Sequence, residues 1–117
     1  MSKQLGKWGE AKAAAFLIEK NFKLIEKNWR SRPNEIDLIM SDGDEIVFVE
    51  VKTRSNTDFG YPEESITDKK VASLMEACQQ YIDEKNIKGQ WRLDIVSIIG
   101  NENIGIQDIK HIQGLEA

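Results

Sequence analysis

Three charged residues in an otherwise apolar part of the chain have types and spacing that suit metal chemistry. Glu50 and Lys52 are separated by one residue in the run IVFVEVK, and Asp37 lies in the preceding run EIDLIM. Two carboxylates held close together repel each other and lose solvation, and a divalent cation relieves both effects. Mg²⁺ prefers such oxygen ligands, and an adjacent lysine can hold or polarise an attacking water. We therefore expect Asp37 and Glu50 to bind Mg²⁺ or Mn²⁺ and Lys52 to be catalytic, in an arrangement suited to phosphodiester cleavage.

A β-hairpin is the element that brings the three residues together. The two runs are separated by SDGDE, and a two-residue loop of Gly43 and Asp44 puts glycine at the first central position of a type II′ turn. This register places Asp37 opposite Glu50. A loop one residue earlier makes the two acids diagonal instead, and both registers leave all three charged residues on one face.

The two faces of this hairpin differ in composition. The first is apolar and is expected to be core: Ile36, Leu38, Met40, Val47, Val49 and Val51. The second is apolar near the turn and charged farther from it, so we expect the charged residues at the edge of a region covered on both sides. A structural alternative stays open, in which cross-strand salt bridges such as Glu35–Lys52 only support the end of the sheet.

The remaining pattern is that of an α/β protein. Apolar periodicity and turn residues predict, in chain order, a helix over 4–20, a strand over 21–30, the hairpin, a loop over 54–66, a helix over 68–85, and strands over 91–99 and 104–112. The helix between the third and fourth strands predicts a right-handed crossover that makes those strands parallel. We expect one domain over residues 1–117, with a small mixed β-sheet flanked by helices.

The composition excludes several classes of protein. With 40% hydrophobic and 31% charged residues, the chain is neither fibrous nor disordered. No apolar run approaches the roughly 18 residues that span a membrane, and the first residues lack a signal-peptide core. Cys78 is the only cysteine and His111 the only histidine, which excludes an intramolecular disulfide and a histidine metal cluster. We expect a cytoplasmic protein with no membrane partner.

The charge distribution is compatible with a nucleic-acid partner, although the net charge is −4. Residues 1–32 carry eight Lys/Arg against three acids, and phosphate contact depends on such local potential. A solvated helix face is the alternative explanation of this charge. The candidates for phosphate binding flank the acidic group or begin the second helix: Arg30, Arg32, Arg54, Lys69 and Lys70.

Two aromatic residues, Phe59 and Tyr61, lie in the predicted loop, whose Gly60 and Pro62 are typical of turns. Aromatic rings in loops can stack on nucleic-acid bases. They more often anchor the loop to the core, and we expect the anchoring role here.

Five short motifs, in order along nearly the whole chain, make the sequence similar to a known family. They are Gly9-Glu10, NWR at 28–30, EIDLI at 35–39, VFVEVKTR at 47–54 and RLDIV at 92–96. Together they resemble the YraN family of small bacterial proteins, and the central part is similar to the PD-(D/E)xK nuclease motif of archaeal Holliday-junction resolvases. The resemblance implies a restriction-endonuclease-like fold.

The resemblance also implies roles for individual residues. Asp37 and Glu50 match the two metal-binding acids of the nuclease motif, and Lys52 matches its catalytic lysine. Glu10 matches the acid that such nucleases place on their first helix, where it assists catalysis through water. Asp94, in RLDIV, belongs to the family pattern without an implied role.

Two positions depart from the pattern. Ile36 stands where the nuclease motif has proline, and Asn34 stands where the family usually has glycine. Asparagine tolerates φ > 0 better than most residues, so the backbone can keep its course. Neither departure removes a proposed ligand.

The function implied is that of a Mg²⁺-dependent nuclease acting on DNA, with branched or damaged DNA as candidate substrates. A junction-cutting enzyme of this kind needs two active sites and hence a homodimer. The alternative, from a different class, is a non-catalytic nucleic-acid-binding or protein-interaction module that retains the nuclease fold.

Overall fold

The secondary structure follows the predicted pattern element by element. In the computed structural model, which describes residues 2–116, the elements are α1 (Lys3–Glu19), β1 (Lys23–Ser31), β2 (Asn34–Asp42), β3 (Glu45–Arg54), a 3₁₀ turn (Pro62–Ser65), α2 (Asp68–Glu84), β4 (Trp91–Asn101) and β5 (Gly105–Ile112). The predicted order α-β-β-β-α-β-β and the α/β class are confirmed. The arrangement is compatible with a small endonuclease-like fold.

The five strands form one mixed sheet in the order β1-β2-β3-β4-β5. Strands β3 and β4 are parallel and connected through α2, as predicted, whereas the other neighbouring pairs are antiparallel. Helix α1 packs on one face of the sheet and α2 on the other. Strand β3 is consequently covered on both faces, which explains its nearly continuous apolar sequence.

Both helices begin at a hydroxyl cap. The Oγ of Ser2 accepts the backbone N–H of Leu5, and the Oγ1 of Thr67 accepts that of Lys70, each at 3.1 Å. Such caps satisfy backbone donors that have no partner within the helix.

Over residues 2–116, no helix combines the length and the apolar character needed to cross a membrane.

The turn between β2 and β3 confirms the first of the two predicted registers. Gly43 has a φ of 62°, as the first central residue of a type II′ turn requires, and Asp42 pairs with Glu45. The backbone ladder continues to the pair Leu38–Val49 and ends there. Because the next residues lie beyond the ladder, a different contact must hold them together.

The prediction that Ile36 shares a face with Leu38 is wrong. Ile36 packs in the cluster under α2, whereas Leu38 packs in the cluster under α1. On β1, Lys27 pairs with Leu38 and Trp29 pairs with Ile36. The residue between them, Asn28, has a φ of 52°, and the change of face on β2 occurs beside it. A residue in this conformation interrupts the regular alternation of side chains between the faces of a strand.

Asp94 on β4 is fully buried and surrounded by hydrogen-bond donors. Its Oδ1 accepts the Nε–H of Arg92 and the backbone N–H of Gly114, both at 3.0 Å, and its Oδ2 lies 2.7 Å from Nε2 of His111. The Nη1 of Arg92 also contacts Oε1 of Glu45 at 2.6 Å. These contacts link β4, β5, the C-terminal segment and the β2–β3 hairpin, which gives Asp94 a structural role.

We expect Asp94→Ala to lower the free energy of unfolding by about 3–5 kcal/mol, because it removes a fully buried countercharge of Arg92 and leaves the Nε–H of Arg92 and the N–H of Gly114 without this acceptor. Urea unfolding followed by circular dichroism measures this loss. The control is Asp108→Ala on exposed β5, which should change stability by less than about 0.5 kcal/mol. Equal losses in the two variants would contradict the structural role of Asp94.

Candidate active site

A side-chain hydrogen bond places Asp37 beside Glu50. Just beyond the end of the β2–β3 ladder, the Oδ2 of Asp37 accepts the backbone N–H of Val51 at 2.8 Å. The carboxylate thus serves as the acceptor that a backbone carbonyl supplies in a regular ladder. Since Val51 directly follows Glu50 on β3, the two carboxyl groups are held together at this point.

The environment of the Asp37–Glu50 pair disfavours two negative charges. Glu50 is 5% exposed, and it lies close enough to share a hydrogen bond with Asp37. Burial, together with the charge and the hydrogen bond of Glu50, raises the pKa of Asp37 from an ordinary 3.8 to about 9. The Val51 N–H opposes this rise, and the charge of Glu10 adds a smaller repulsion. Without a cation, the pair therefore holds a proton at neutral pH.

Lys52 brings a positive charge to the pair. Its Nζ lies 3.6 Å from Oε2 of Glu50, and its side chain is 29% exposed compared with 6% for that of Glu50. The ammonium group therefore lies between the buried Glu50 and the solvent, where a bound molecule can reach it. The alternative salt bridge Glu35–Lys52 does not form, because the Oε2 of Glu35 pairs with the Nε of Arg30 at 3.2 Å.

Glu10 on α1 contacts β1 and does not join the Asp37–Glu50 pair. Its Oε1 accepts the Nδ2–H of Asn28 at 3.0 Å, and the same Nδ2 lies 3.2 Å from Oε1 of Glu35. Within residues 2–116, no three Asp, Glu, His or Cys side chains converge closely enough to hold a metal ion. A metal at the pair would accordingly have two carboxylate ligands, with Glu10 acting through water.

Asn28 is a positioning residue whose role the sequence patterns did not indicate. Its amide group orients two acids, Glu10 and Glu35, and its backbone adopts the left-handed conformation. Asparagine adopts that conformation more readily than most other residues with a side chain. A sequence signal that could have indicated this role is the single asparagine inside a predicted strand, within the NWR motif.

Gly9 allows α1 to approach β3 closely beside the site. A Cβ atom at this position would collide with the hydroxyl of Thr53, near the end of β3. A larger residue would therefore push the helix away from the sheet. Because Glu10 is the next residue on α1, the same contact fixes its height above the strands.

Two clefts open beside these residues. The first, here called the β3-end cleft, has a volume of about 410 Å³, and its lining includes Leu5, Lys52, Thr53, Arg54, Asn56 and Phe59. The second, called the α1-start cleft, has a volume of about 440 Å³, and its lining includes Lys3, Lys7, Glu10, Asn28, Arg30 and Glu35. The two catalytic candidates, Lys52 and Glu10, thus face different clefts.

The five predicted phosphate-binding cations are distributed unequally around the site. Arg54 lines the β3-end cleft and Arg30 lines the α1-start cleft. Arg32 is exposed at the β1–β2 turn, and Lys69 and Lys70 lie in the first turn of α2. These last three line neither cleft, so two of the five cations lie beside the candidate site.

The prediction that the loop aromatics anchor the loop is wrong for Phe59, which is 88% exposed. The ring of Tyr61 is partly covered, with the Nζ of Lys110 lying 4.8 Å from its centre. Pro62, which is buried, anchors the loop instead. Phenylalanine has no polar atom that would favour such exposure to water.

Asn34, which replaces the glycine of the family pattern, does not adopt φ > 0. Its Nδ2 instead donates to the hydroxyl of Ser73 on α2 at 2.6 Å and to the carbonyl of Ser73 at 3.2 Å. The expected conformational explanation is therefore wrong. At this position the asparagine connects the start of β2 to the helix that covers it.

Comparison with known proteins identifies relatives of this chain. The family model described as "Uncharacterised protein family UPF0102" matches residues 9–98. The chain belongs to the UPF0102, or YraN, family. The matched range contains Glu10, Asp37, Glu50, Lys52 and Asp94, and the family description assigns no activity.

The relatives of this YraN-family chain match it over most of their length. The UPF0102 protein of Persephonella marina is 44% identical over 104 residues, which cover 88% of this chain and 90% of the relative. That of Syntrophomonas wolfei is 41% identical over 113 residues, covering 96% of each protein. The UPF0102 protein of a Nocardioides species is 38% identical over 112 residues, covering 95% of this chain and 90% of the relative.

The raised pKa of Asp37 predicts a pH-dependent effect of Asp37→Asn on stability. Between pH 4 and 9 the native state keeps a proton that the unfolded chain releases, so wild-type stability falls as the pH rises through this window. The asparagine lacks this titration and can still accept the Val51 N–H. We expect the stability of the variant relative to the wild type to rise steadily from pH 4 to pH 8, by several kcal/mol in all.

Urea unfolding at pH 4, 6 and 8 in metal-free buffer measures this difference. Asp44→Asn, at the exposed hairpin turn, serves as the control and should differ from wild type by less than about 0.5 kcal/mol at each pH. An advantage of Asp37→Asn that stayed constant with pH would exclude the proposed repulsion.

Proposed function

We propose that this chain is a metal-dependent nuclease that hydrolyses phosphodiester bonds in DNA. The observation that carries the proposal is the pairing of two carboxyl groups, one of them buried, with a partly exposed lysine at the edge of a cleft. Such a pair is unfavourable in a protein that uses it only for stability. It is favourable in a protein that uses it to bind a divalent cation.

The donor set fits Mg²⁺ or Mn²⁺. Asp37 and Glu50 would hold the ion, and the repulsion that raises the pKa of Asp37 would be relieved by it. Mg²⁺ usually takes only a few protein ligands and keeps water or phosphate oxygens for the rest, which suits a site with two carboxylates. When bound, such an ion polarises a phosphoryl oxygen and lowers the pKa of a coordinated water.

The protein groups around the pair have separate roles in this proposal. The ammonium of Lys52 donates a hydrogen bond to the attacking water and so orients it towards the phosphorus. Glu10, held by Asn28, accepts a hydrogen bond from a water on the α1 side of the site. Arg54 and Arg30, one in each cleft, bind the phosphates on either side of the scissile bond, for which the planar guanidinium group is well suited.

We also propose a cytoplasmic setting for the enzyme. A single buried cysteine, Cys78, suits a reducing cytoplasm, where DNA is accessible. Branched or damaged DNA is the proposed substrate class. Cutting both strands of a junction requires two such sites, so the active form on that substrate would be a homodimer.

A second candidate function is a nucleic-acid-binding or protein-interaction module without catalysis. The observation that favours it is that Glu10 does not converge with the other two acids, so no three-acid metal site forms within residues 2–116. The net charge of −4 also limits affinity for DNA. Metal binding and DNA cleavage separate the two candidates.

Calorimetric titration with MgCl₂ and MnCl₂ tests the metal site directly. We expect the wild type to bind one ion per chain, because a cation relieves the carboxylate repulsion. Asp37→Asn should lose this binding, since it removes one of two protein ligands, whereas Asp83→Asn on the exposed surface of α2 should retain it. Absence of binding in the wild type would leave the charged pair with a structural role only.

Cleavage of fluorescently labelled forked, four-way-junction and single-stranded DNA tests the catalytic role of Lys52. We expect Lys52→Ala to reduce the cleavage rate by about a hundredfold or more, as removal of a positioned proton donor does. The matched control is Lys85→Ala, which has the same acid-any-lysine spacing with Asp83 but is exposed just after the last residue of α2. If the wild type binds these DNAs and cuts none of them, the non-catalytic module is the correct assignment.

A further inference from the structure

The loop that follows β3 is firmly held at one end. The carboxylate of Glu63, in the 3₁₀ turn, accepts the Oγ–H of Ser97 at 2.7 Å and pairs with the Nζ of Lys110 at 3.1 Å. The backbone N–H of Tyr61 lies 3.3 Å from Oε1 of Glu64. These contacts join the end of the loop to β4 and β5, so the residues just before it project from a fixed base.

Phe59 projects from this base into solvent. Its 88% exposure is the largest among the big hydrophobic side chains of residues 2–116. Its ring lines the β3-end cleft, the same cleft that is lined by Lys52 and Arg54. An exposed aromatic ring thus lines the same cleft as two cations, one of which contacts Glu50 of the candidate active site.

This combination matches the chemistry of a nucleotide. A base offers a flat π-face to an aromatic ring, and the attached phosphate offers a negative charge to lysine and arginine. A base inside a duplex is stacked on both sides and has no face free for the ring. A nucleotide that is unpaired, or turned out of its helix, has such a face available.

We propose that Phe59 is a stacking platform for one unpaired base, whose flanking phosphates contact Lys52 and Arg54. The proposal rests on the nuclease function, because the same cleft would lead the strand to Asp37 and Glu50. It specifies the substrate as DNA with unpaired nucleotides next to the scissile phosphate. Stacking is tolerant of base identity, so the platform selects strand structure and not sequence.

Fluorescence anisotropy in metal-free buffer tests the platform without cleavage. The probes are a labelled single-stranded oligonucleotide and a blunt duplex that contains the same strand. We expect Phe59→Ala to weaken single-strand binding by about tenfold, the loss of one base stack, and to leave duplex binding unchanged. Phe59→Trp should restore single-strand binding, because indole also stacks on bases.

The matched control is Ile104→Ala, which removes an apolar side chain that is 56% exposed in the β4–β5 turn. It should leave both affinities unchanged. Because Phe59 makes little contact with the rest of the chain, each variant should remain folded, and circular dichroism checks this.

Several outcomes would overturn the platform: equal weakening of single-strand and duplex binding by Phe59→Ala, no weakening of either, or no recovery with Phe59→Trp. An apolar surface that docks another protein would give the second of these results. The failure of the nuclease proposal is distinguishable. Single-strand binding that depends on Phe59 without cleavage in MgCl₂ supports the platform alone, and cleavage that is insensitive to Phe59 supports the nuclease alone.

Discussion

The repulsion between the carboxyl groups of Asp37 and Glu50 is the constraint on which the candidate site depends. The two groups come together because the β2–β3 ladder ends at Leu38–Val49 and Asp37 then accepts the N–H of Val51 with its side chain. A sheet built for stability alone would place apolar residues there. The chain instead keeps two carboxyl groups together in a covered region, and the pKa of one of them is raised.

The other parts of the site surround this pair and determine its burial and its electrostatic environment. Strand β3 is covered on both faces, so the acids are shielded from water that would weaken their interaction. Lys52, two residues beyond Glu50 on the same face, lies at the border with solvent. Gly9 lets α1 come close to β3, and Asn28 holds Glu10 on the other side. The two covered faces of β3, the ammonium group of Lys52 and helix α1 therefore surround the Asp37–Glu50 pair.

Much of the fold was predictable because local signals agreed with the tertiary arrangement. The glycine of the β2–β3 turn determined the register, and the helix between β3 and β4 determined their parallel pairing. The faces of Ile36 and Leu38 were not predictable, because simple alternation assumes a regular strand, whereas the β2–β3 ladder ends at the pair Leu38–Val49. The exposure of Phe59 was also not predictable, since the sequence indicates a loop but not which of its side chains packs against the core.

The late position of β4 in the chain has a consequence for biosynthesis. The chain emerges from the ribosome with the hairpin that carries Asp37 and Glu50 well before β4, and the last partner of Asp94 is the amide of Gly114. Until β4 is synthesised, β3 has a free edge rich in valine and isoleucine, which is prone to pair with other chains. Nascent chains that stall before this point would therefore be sensitive to aggregation and would depend on chaperones more than the finished protein does.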